Sequence, residues 1–132
     1  MATWLPPDRN PFFGVAMGAI AQAGDLSVAA SLPTGGGMFA SGGLAKAEAD
    51  LTAAGFLNVS VQEHDASFDS EDAPAAMQPF YTGGSVRTRA LFAAQSEAQR
   101  ADILATAAGM LEHYRTDGGY SVPLRYVTIV AR

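Results

Sequence analysis

The side chains that could carry out chemistry are few, and they do not form a recognisable catalytic set. His64 and His113 are the two histidines, and cysteine is absent, which excludes disulfides, thiolate metal sites and a Cys nucleophile. His64 and Asp65 are neighbours on a predicted strand and therefore point to opposite faces, so they cannot bind one metal together. No serine lies in a Gly-x-Ser-x-Gly sequence. The residues alone predict no catalytic residue and no metal site.

Two further features each have a functional and an ordinary structural explanation. Acidic residues crowd one stretch: Glu63, Asp65, Asp69, Glu71 and Asp72. They could bind a cation or an amine, but a solvated strand end followed by a helix N-terminus favours the same residue types. The glycines at 35–37 lack the Lys-Ser/Thr that a phosphate-binding loop requires, which favours a turn.

Aromatic and methionine side chains are concentrated in the first forty residues. The set is Trp4, Phe12, Phe13, Met17, Met38 and Phe39. One explanation is a helix face buried in the core, and the other is an apolar pocket for a small organic ligand. Both remain open at this point.

Composition limits the class of protein. The 132 residues carry a net charge of −5 and are predicted to form a single domain, residues 1–132. This charge argues against nucleic acid and against an anionic membrane surface as partners. No stretch approaches the ~20 apolar residues of a membrane span, and the first residues lack a basic start followed by an apolar core. We therefore expect a soluble, cytoplasmic protein.

The hydrophobic pattern predicts alternating strands and helices. Asn10-Pro11 is typical of a helix start, and Ser96 with Gln99 of a capping box. The predicted strands are a short remnant at Ala2–Leu5, a strand from Val59 to about Phe68, and a last strand at Tyr120–Ala131. The predicted helices are 10–24, Leu44–Ala54, Ala75–Tyr81, Ser85–Ala94 and a final one from Ser96 through Tyr114, while 25–43 reads as a loop.

The last strand is apolar on both faces, which predicts that it is buried. Only two full strands are visible, and a two-stranded sheet is marginal in water. We therefore expect the sheet to be incomplete, with strands missing that it should pack beside.

Taken in order, these segments resemble the C-terminal half of a class I S-adenosylmethionine-dependent methyltransferase, of the small-molecule group related to the ubiquinone and menaquinone type. The sequence TWLPPDRNPFF at 3–13 resembles the end of the fifth strand and the following helix start. GMFAS at 37–41 resembles the Gly-Pro-Phe segment before the next helix, LAKAEADLTAAGFLNV at 44–59 resembles the "L-x-x-A-G-F" passage, and YVTIVAR at 126–132 resembles the terminal strand. The resemblance covers essentially the whole chain.

The resemblance implies an α/β fold that is the C-terminal part of a Rossmann-like methyltransferase sheet. It would have two antiparallel strands, a short N-terminal strand remnant and four to five helices. The first helix and the loop after it would cover the acceptor pocket, which makes Trp4, Asn10, Phe13, Met17 and Phe39 the candidate substrate-binding residues. Family members hold acceptor and methyl donor in line, so no universal catalytic residue is expected.

In that family, S-adenosylmethionine is held by the N-terminal half, on a Gly-rich turn after the first strand and an acidic residue at the end of the second. None of these elements is present in the sequence, and Met1 falls where the fifth strand should already be under way. We therefore expect that this chain binds no cofactor and transfers no methyl group by itself.

Two functions follow. In the first, the chain is the acceptor-side part of a methyltransferase whose other half is a second chain or the rest of a longer polypeptide. In the second, it is a stand-alone, non-catalytic module derived from that fold that binds a small apolar ligand or a protein. The second predicts a homodimer that covers the open flank of the sheet. A weaker third reading is an unrelated enzyme that uses His64 or the acidic residues.

Overall fold

The computed structural model describes residues 1–32 and 44–132, and within them it shows a mixed α/β fold. The strands are β1 Ala2–Trp4, β2 Ser60–Ser70, β3 Arg115–Thr116 and β4 Gly119–Val130. The α-helices are α1 Pro11–Ala23, α2 Leu44–Ala53, α3 Ala73–Tyr81, α4 Val86–Ala93 and α5 Glu97–Leu111, and 3-10 helices cover Leu26–Ser31 and Glu112–Tyr114.

The sheet is small and antiparallel, and β4 lies at its centre. The strand order is β1-β4-β2, with β3 paired to β4 as a short hairpin. Tyr126 lies opposite Trp4 on one side and His64 on the other. The prediction that the last strand is buried is confirmed in its central position, since β4 pairs with a neighbour along both edges near its C-terminal end.

Pro123 lies inside this central strand, where a missing N–H would normally break the ladder. The register resolves the conflict. Met1 exchanges backbone hydrogen bonds with Ile129, and Leu5 N–H donates to Arg125 O, so the odd-numbered residues of β4 point their backbone groups toward β1. Pro123 therefore faces the side where β1 has already ended, and its pairing with β2 needs no N–H.

Successive side chains of β4 point to opposite faces of the sheet, and they pack into two separate hydrophobic cores. Tyr120 and Val122 are buried in a cluster formed mainly by α1, α3 and α5. Val127 and Ile129 face the other way and pack with Leu5 and with Ala47 of α2. The two clusters place helices on both faces of the sheet, and the larger one holds most of the aromatic residues.

Local signals account for the helix starts. Ser96 and Gln99 form the predicted capping box of α5, which is confirmed. Asp72 caps α3 by accepting a hydrogen bond from Ala75 N at 2.8 Å. Asn10 is the N-cap of α1 as predicted, but its side chain makes no capping bond. Its Nδ2 instead donates to Arg125 O at 2.8 Å and so ties the start of α1 to the sheet.

The structure differs from the predicted elements at three places. A 3-10 helix at Leu26–Ser31 begins inside the predicted loop, because the Asp25 carboxylate accepts a hydrogen bond from Ser27 N. The final helix ends at Leu111 and continues only as the 3-10 turn Glu112–Tyr114. Strand β3 was not predicted, since two exposed polar residues carry no hydrophobic pattern.

Candidate ligand-binding groove

A cavity of about 370 Å³ lies between the sheet and the helices α1 and α3. We call it the aromatic groove. Its lining residues are Trp4, Phe12, Phe13, Phe68, Pro79, Phe80, Gly84, Ser85 and Leu124. Its volume falls in the range of small-molecule sites, and its lining is mainly apolar, as is usual for such sites.

The strand register places the side chains that form the sheet side of the groove next to one another. Trp4 lies opposite Tyr126 on β4, and Phe68 of β2 lies opposite Val122. Since side chains two residues apart on a strand share a face, Leu124 points to the same side as both of these partners. The floor of the groove is therefore built from three strands that are distant in sequence.

The helix side of the groove is a packed set of phenylalanines. Phe12 stacks on Phe68 with ring centroids 4.4 Å apart and meets Phe80 edge-on at 4.7 Å. Phe13 contacts Phe80 at 5.1 Å and Trp4 at 5.8 Å. Aromatic pairs in such offset and edge-to-face arrangements add about 0.5–1.5 kcal/mol each beyond area burial. The wall of the groove is thus fixed by packing.

Trp4 is the most accessible of these large side chains, at 40% exposure, whereas Phe12, Phe13 and Phe80 are buried. Its ring also lies edge-on to Tyr126 at 6.1 Å. A flat ligand entering the groove would therefore meet Trp4 before the buried rings.

The polar lining of the groove comes from Ser85, the N-cap residue of α4, which is only 8% exposed. Its hydroxyl donates to Thr88 Oγ1 at 3.0 Å and makes no bond to the helix backbone. No Asp, Glu, Lys, Arg or His is among the described residues that line the groove.

The five predicted substrate-binding residues divide between several environments. Trp4 and Phe13 line the groove together. Asn10 does not line it and is fully buried, and its Oδ1 has no hydrogen-bond partner among residues 1–32 and 44–132. Met17 does not line it either and is 42% exposed on α1. Phe39 lies outside the described residues, as do the glycines at 35–37 and Met38.

Sequence reasoning missed most of the groove. Phe68, Phe80, Leu124 and Ser85 were not among the predicted residues. Phe68 carried a signal, because it is the one aromatic apolar side chain on a mostly polar strand. The contribution of Phe80 depends on how α3 packs against α1, and that of Ser85 on the turn between α3 and α4, neither of which a local pattern encodes.

His64 has structural partners on the same sheet face. Its Nε2 lies 2.8 Å from Thr128 Oγ1, and its ring stacks on Tyr126 at 4.8 Å with an interplanar angle of 17°. His64 does not line the groove. Trp4, Tyr126 and His64 thus form one aromatic row across β1, β4 and β2.

The acidic residues also have partners in the fold. Asp65 pairs with Arg125 at 2.9 Å, and Glu63 pairs with Arg9 at 2.8 Å. Asp69 accepts a hydrogen bond from Ser121 Oγ at 2.6 Å. Within residues 1–32 and 44–132, no three His, Asp or Glu side chains are placed to hold a metal ion.

Two groups outside the groove have strongly shifted pKa values. The Arg115 guanidinium and the Tyr120 hydroxyl both donate to the exposed carboxylate of Glu112, which lowers its pKa to about 2. Burial raises the pKa of Tyr81 well above its ordinary value. The Tyr81 hydroxyl donates to Ala16 O at 2.8 Å and so links α3 to α1.

Comparisons with known proteins identify no relative: no family model, no curated protein and no solved structure matches this chain. None of the helices in the described part of the chain is long and apolar enough to cross a membrane.

Proposed function

We propose that this chain is the acceptor-side part of a cytoplasmic, S-adenosylmethionine-dependent small-molecule methyltransferase, with the acceptor bound in the aromatic groove. The observation that carries the proposal is the groove itself: an apolar cavity against the first helix, where the resemblance places the acceptor pocket. Trp4 and Phe13, two of the residues expected there, lie on its walls.

The arrangement of the strands supports the same proposal. The resemblance implies a strand end followed by a helix, and then two strands antiparallel to each other. In the structure, β1 leads into α1, and β2 runs antiparallel to β4 over its whole length of 11 residues. We take the sheet as the C-terminal part of a Rossmann-like sheet on this ground.

The groove fits a role in positioning and not in acid–base chemistry. Its described lining carries no titratable side chain, so a proton of the acceptor would have to leave to solvent or to a group elsewhere. Orientation alone can supply a large share of a methyl-transfer rate, because it removes the entropic cost of bringing two reactants together. The phenylalanine wall fixes such an orientation.

The described residues of this chain do not fit S-adenosylmethionine. The family holds it at a Gly-rich turn between a strand and a helix. In the described residues, β1 is followed by Leu5-Pro6-Pro7 and β2 by Glu71-Asp72, and the glycines at 118–119 join two strands. We therefore propose that the methyl donor is held by a second chain or by another part of a longer polypeptide, and that the 132 residues alone transfer no methyl group.

The test is a methyl-transfer assay on the native species, captured from its source cells with an antibody to this chain. It is incubated with S-adenosylmethionine labelled on the methyl group and with a panel of apolar aromatic acceptors. We expect label on an acceptor with the native species and none with the purified 132-residue chain. A native species that transfers no label and also fails to bind the labelled donor would refute the proposal.

A second function is favoured by one observation, the open outer edges of β1 and β2 in the described sheet. In this alternative the chain is a stand-alone, non-catalytic module that binds a small ligand or a protein. Among the described residues, β1 and β2 each pair only with β4, and open strand edges favour pairing with another chain. We propose a homodimer in this case. Light scattering that reports a monomer over a wide concentration range would contradict it.

A further inference from the structure

Ser85 differs from the other hydroxyl and carboxylate N-caps of this protein. The side chains of Asp72 and Ser96 each accept a hydrogen bond from a backbone N–H of the helix that they cap. The Ser85 side chain accepts none at the start of α4 and donates its proton to Thr88. Since a hydroxyl oxygen can accept two hydrogen bonds, the acceptor capacity of Ser85 is unused by its own helix.

Ser85 is placed where a ligand can reach it. Ser85 is nine-tenths buried, and it lines the aromatic groove beside Pro79 and Phe80. Its own N–H is already bonded to Pro79 O at 3.2 Å. What Ser85 offers to the groove is therefore an acceptor, and a buried acceptor selects a ligand that donates.

We propose that Ser85 determines ligand specificity, and that the groove binds an uncharged, flat ring compound that donates one hydrogen bond, from a hydroxyl or N–H group, to Ser85 Oγ. The inference rests on the proposed function in that the groove is taken as the acceptor site. It requires no methyl donor, so it can be tested separately from methyl transfer.

The same lining argues against charged ligands. A carboxylate or phosphate would lose its hydration among Phe12, Phe68 and Phe80 without meeting a cation among the described lining residues. A methyl ether of the same ring would fit the apolar walls but would leave the Ser85 acceptor unpaired. The methylated form of such a ligand is thus expected to bind more weakly than the free hydroxyl form.

Trp4 provides the readout, because it is the single tryptophan of the chain and lines the groove. Its indole N–H gives one resonance in a ¹⁵N correlation spectrum, and a ring bound against it shifts that resonance. The purified chain is titrated with 2-naphthol, 2-methoxynaphthalene and 2-naphthoate at neutral pH. These probes share the flat ring system and differ in the donor and in the charge.

We expect 2-naphthol to bind about 5-fold more tightly than 2-methoxynaphthalene, the ratio that one net hydrogen bond provides. We expect 2-naphthoate to bind at least about 100-fold more weakly than 2-naphthol. In Ser85→Ala, the affinity for 2-naphthol falls to that for 2-methoxynaphthalene, whose own affinity is unchanged.

Two further variants separate recognition from folding. Ser85→Thr keeps the hydroxyl and should keep the preference for 2-naphthol. Ser96→Ala removes the cap of α5, away from the groove, and should leave both affinities unchanged. Equal binding of the two neutral probes by the wild type, a preference that survives in Ser85→Ala, tight binding of 2-naphthoate, or no shift of the indole resonance with any probe would each overturn the inference.

Discussion

Replacing Tyr81 with Phe removes one buried hydrogen bond and leaves the aromatic packing in place. The hydroxyl donates to Ala16 O at 2.8 Å, and the ring stacks on Phe92 with centroids 4.4 Å apart. The net value of such a bond is about 1 kcal/mol. With about 2.1 cal/mol/K of unfolding entropy per residue, 132 residues give about 0.28 kcal/mol/K. The melting temperature of Tyr81→Phe should therefore fall by about 4 °C.

The effect of Tyr81→Phe on the free energy of unfolding changes sign in strong alkali. The pKa of Tyr81 is raised by burial in the folded protein, whereas in the unfolded chain it is about 10. Below pH 10 the tyrosine is neutral in both states. Above it, the unfolded chain loses the proton that the folded protein keeps, so wild-type stability falls as pH rises. At pH 11 the loss is about 1.4 kcal/mol, which exceeds the value of the bond.

The free energy of unfolding of Tyr81→Phe should therefore equal that of the wild type between about pH 10.5 and 11, and exceed it at higher pH. Urea titrations followed by circular dichroism at pH 7, 9, 10 and 11 measure the difference. All other tyrosines are common to both proteins and cancel. Equal stabilities at pH 7, or a constant difference up to pH 11, would show that this hydroxyl does not link α3 to α1.

Three further predictions concern features outside the groove. Ser96→Ala should lower the free energy of unfolding by about 1 kcal/mol in urea, because it removes a helix cap. Gly119→Ala should lower it by more than about 3 kcal/mol, since the backbone φ is +137° and an added Cβ would collide with Ser70 O. The pKa of Glu112 is lowered to about 2 in the folded protein. The stability that its bonds with Arg115 provide should therefore be complete above about pH 4.5 and lost as pH falls toward 2. The difference in the free energy of unfolding between wild type and Glu112→Gln, followed in acid titrations, measures this contribution.

Each of these has an outcome that would contradict it. Gly118→Ala is the matched control for Gly119→Ala, because nothing lies near an added Cβ there, and a similar loss in both would rule out the close contact as the cause. If Ser96→Ala changes the urea midpoint no more than an alanine substitution at a surface position that caps no helix, Ser96 does not act as a stabilising cap. A stability difference at Glu112 that grows toward low pH would have the wrong sign for a lowered pKa.

Local rules predicted the elements of this fold well. Asn10-Pro11 and the pair Ser96 and Gln99 mark the starts of α1 and α5 because their chemistry acts within one helical turn. The apolar alternation of β4 predicted a central strand because both of its faces meet a core. Local rules did not predict the two-residue strand β3, which forms because a tight hairpin pairs it with β4. They also did not predict the 3-10 helix at Leu26–Ser31, which begins at a single side-chain hydrogen bond.

The groove was less predictable than the fold, for a physical reason. Trp4 and Phe13 stand out in the sequence because they flank the same helix start. Phe68 and Leu124 join them only through the pairing of β2 with β4, and Ser85 only through the turn between α3 and α4. Asn10 was placed in the pocket by resemblance, whereas the structure gives it a buried bond to the sheet. Such a site is formed by contacts between residues far apart in the sequence, and the hydrophobic periodicity of the sequence does not predict those contacts.

The methyltransferase proposal is tested most directly by photo-crosslinking of labelled S-adenosylmethionine to the native species that contains this chain, followed by mass spectrometry of the labelled peptides. We expect saturable labelling on peptides outside these 132 residues, either from a partner chain or from a longer polypeptide. The absence of saturable labelling would contradict the methyltransferase proposal. Labelling within these residues would contradict the assignment of the methyl donor to another part.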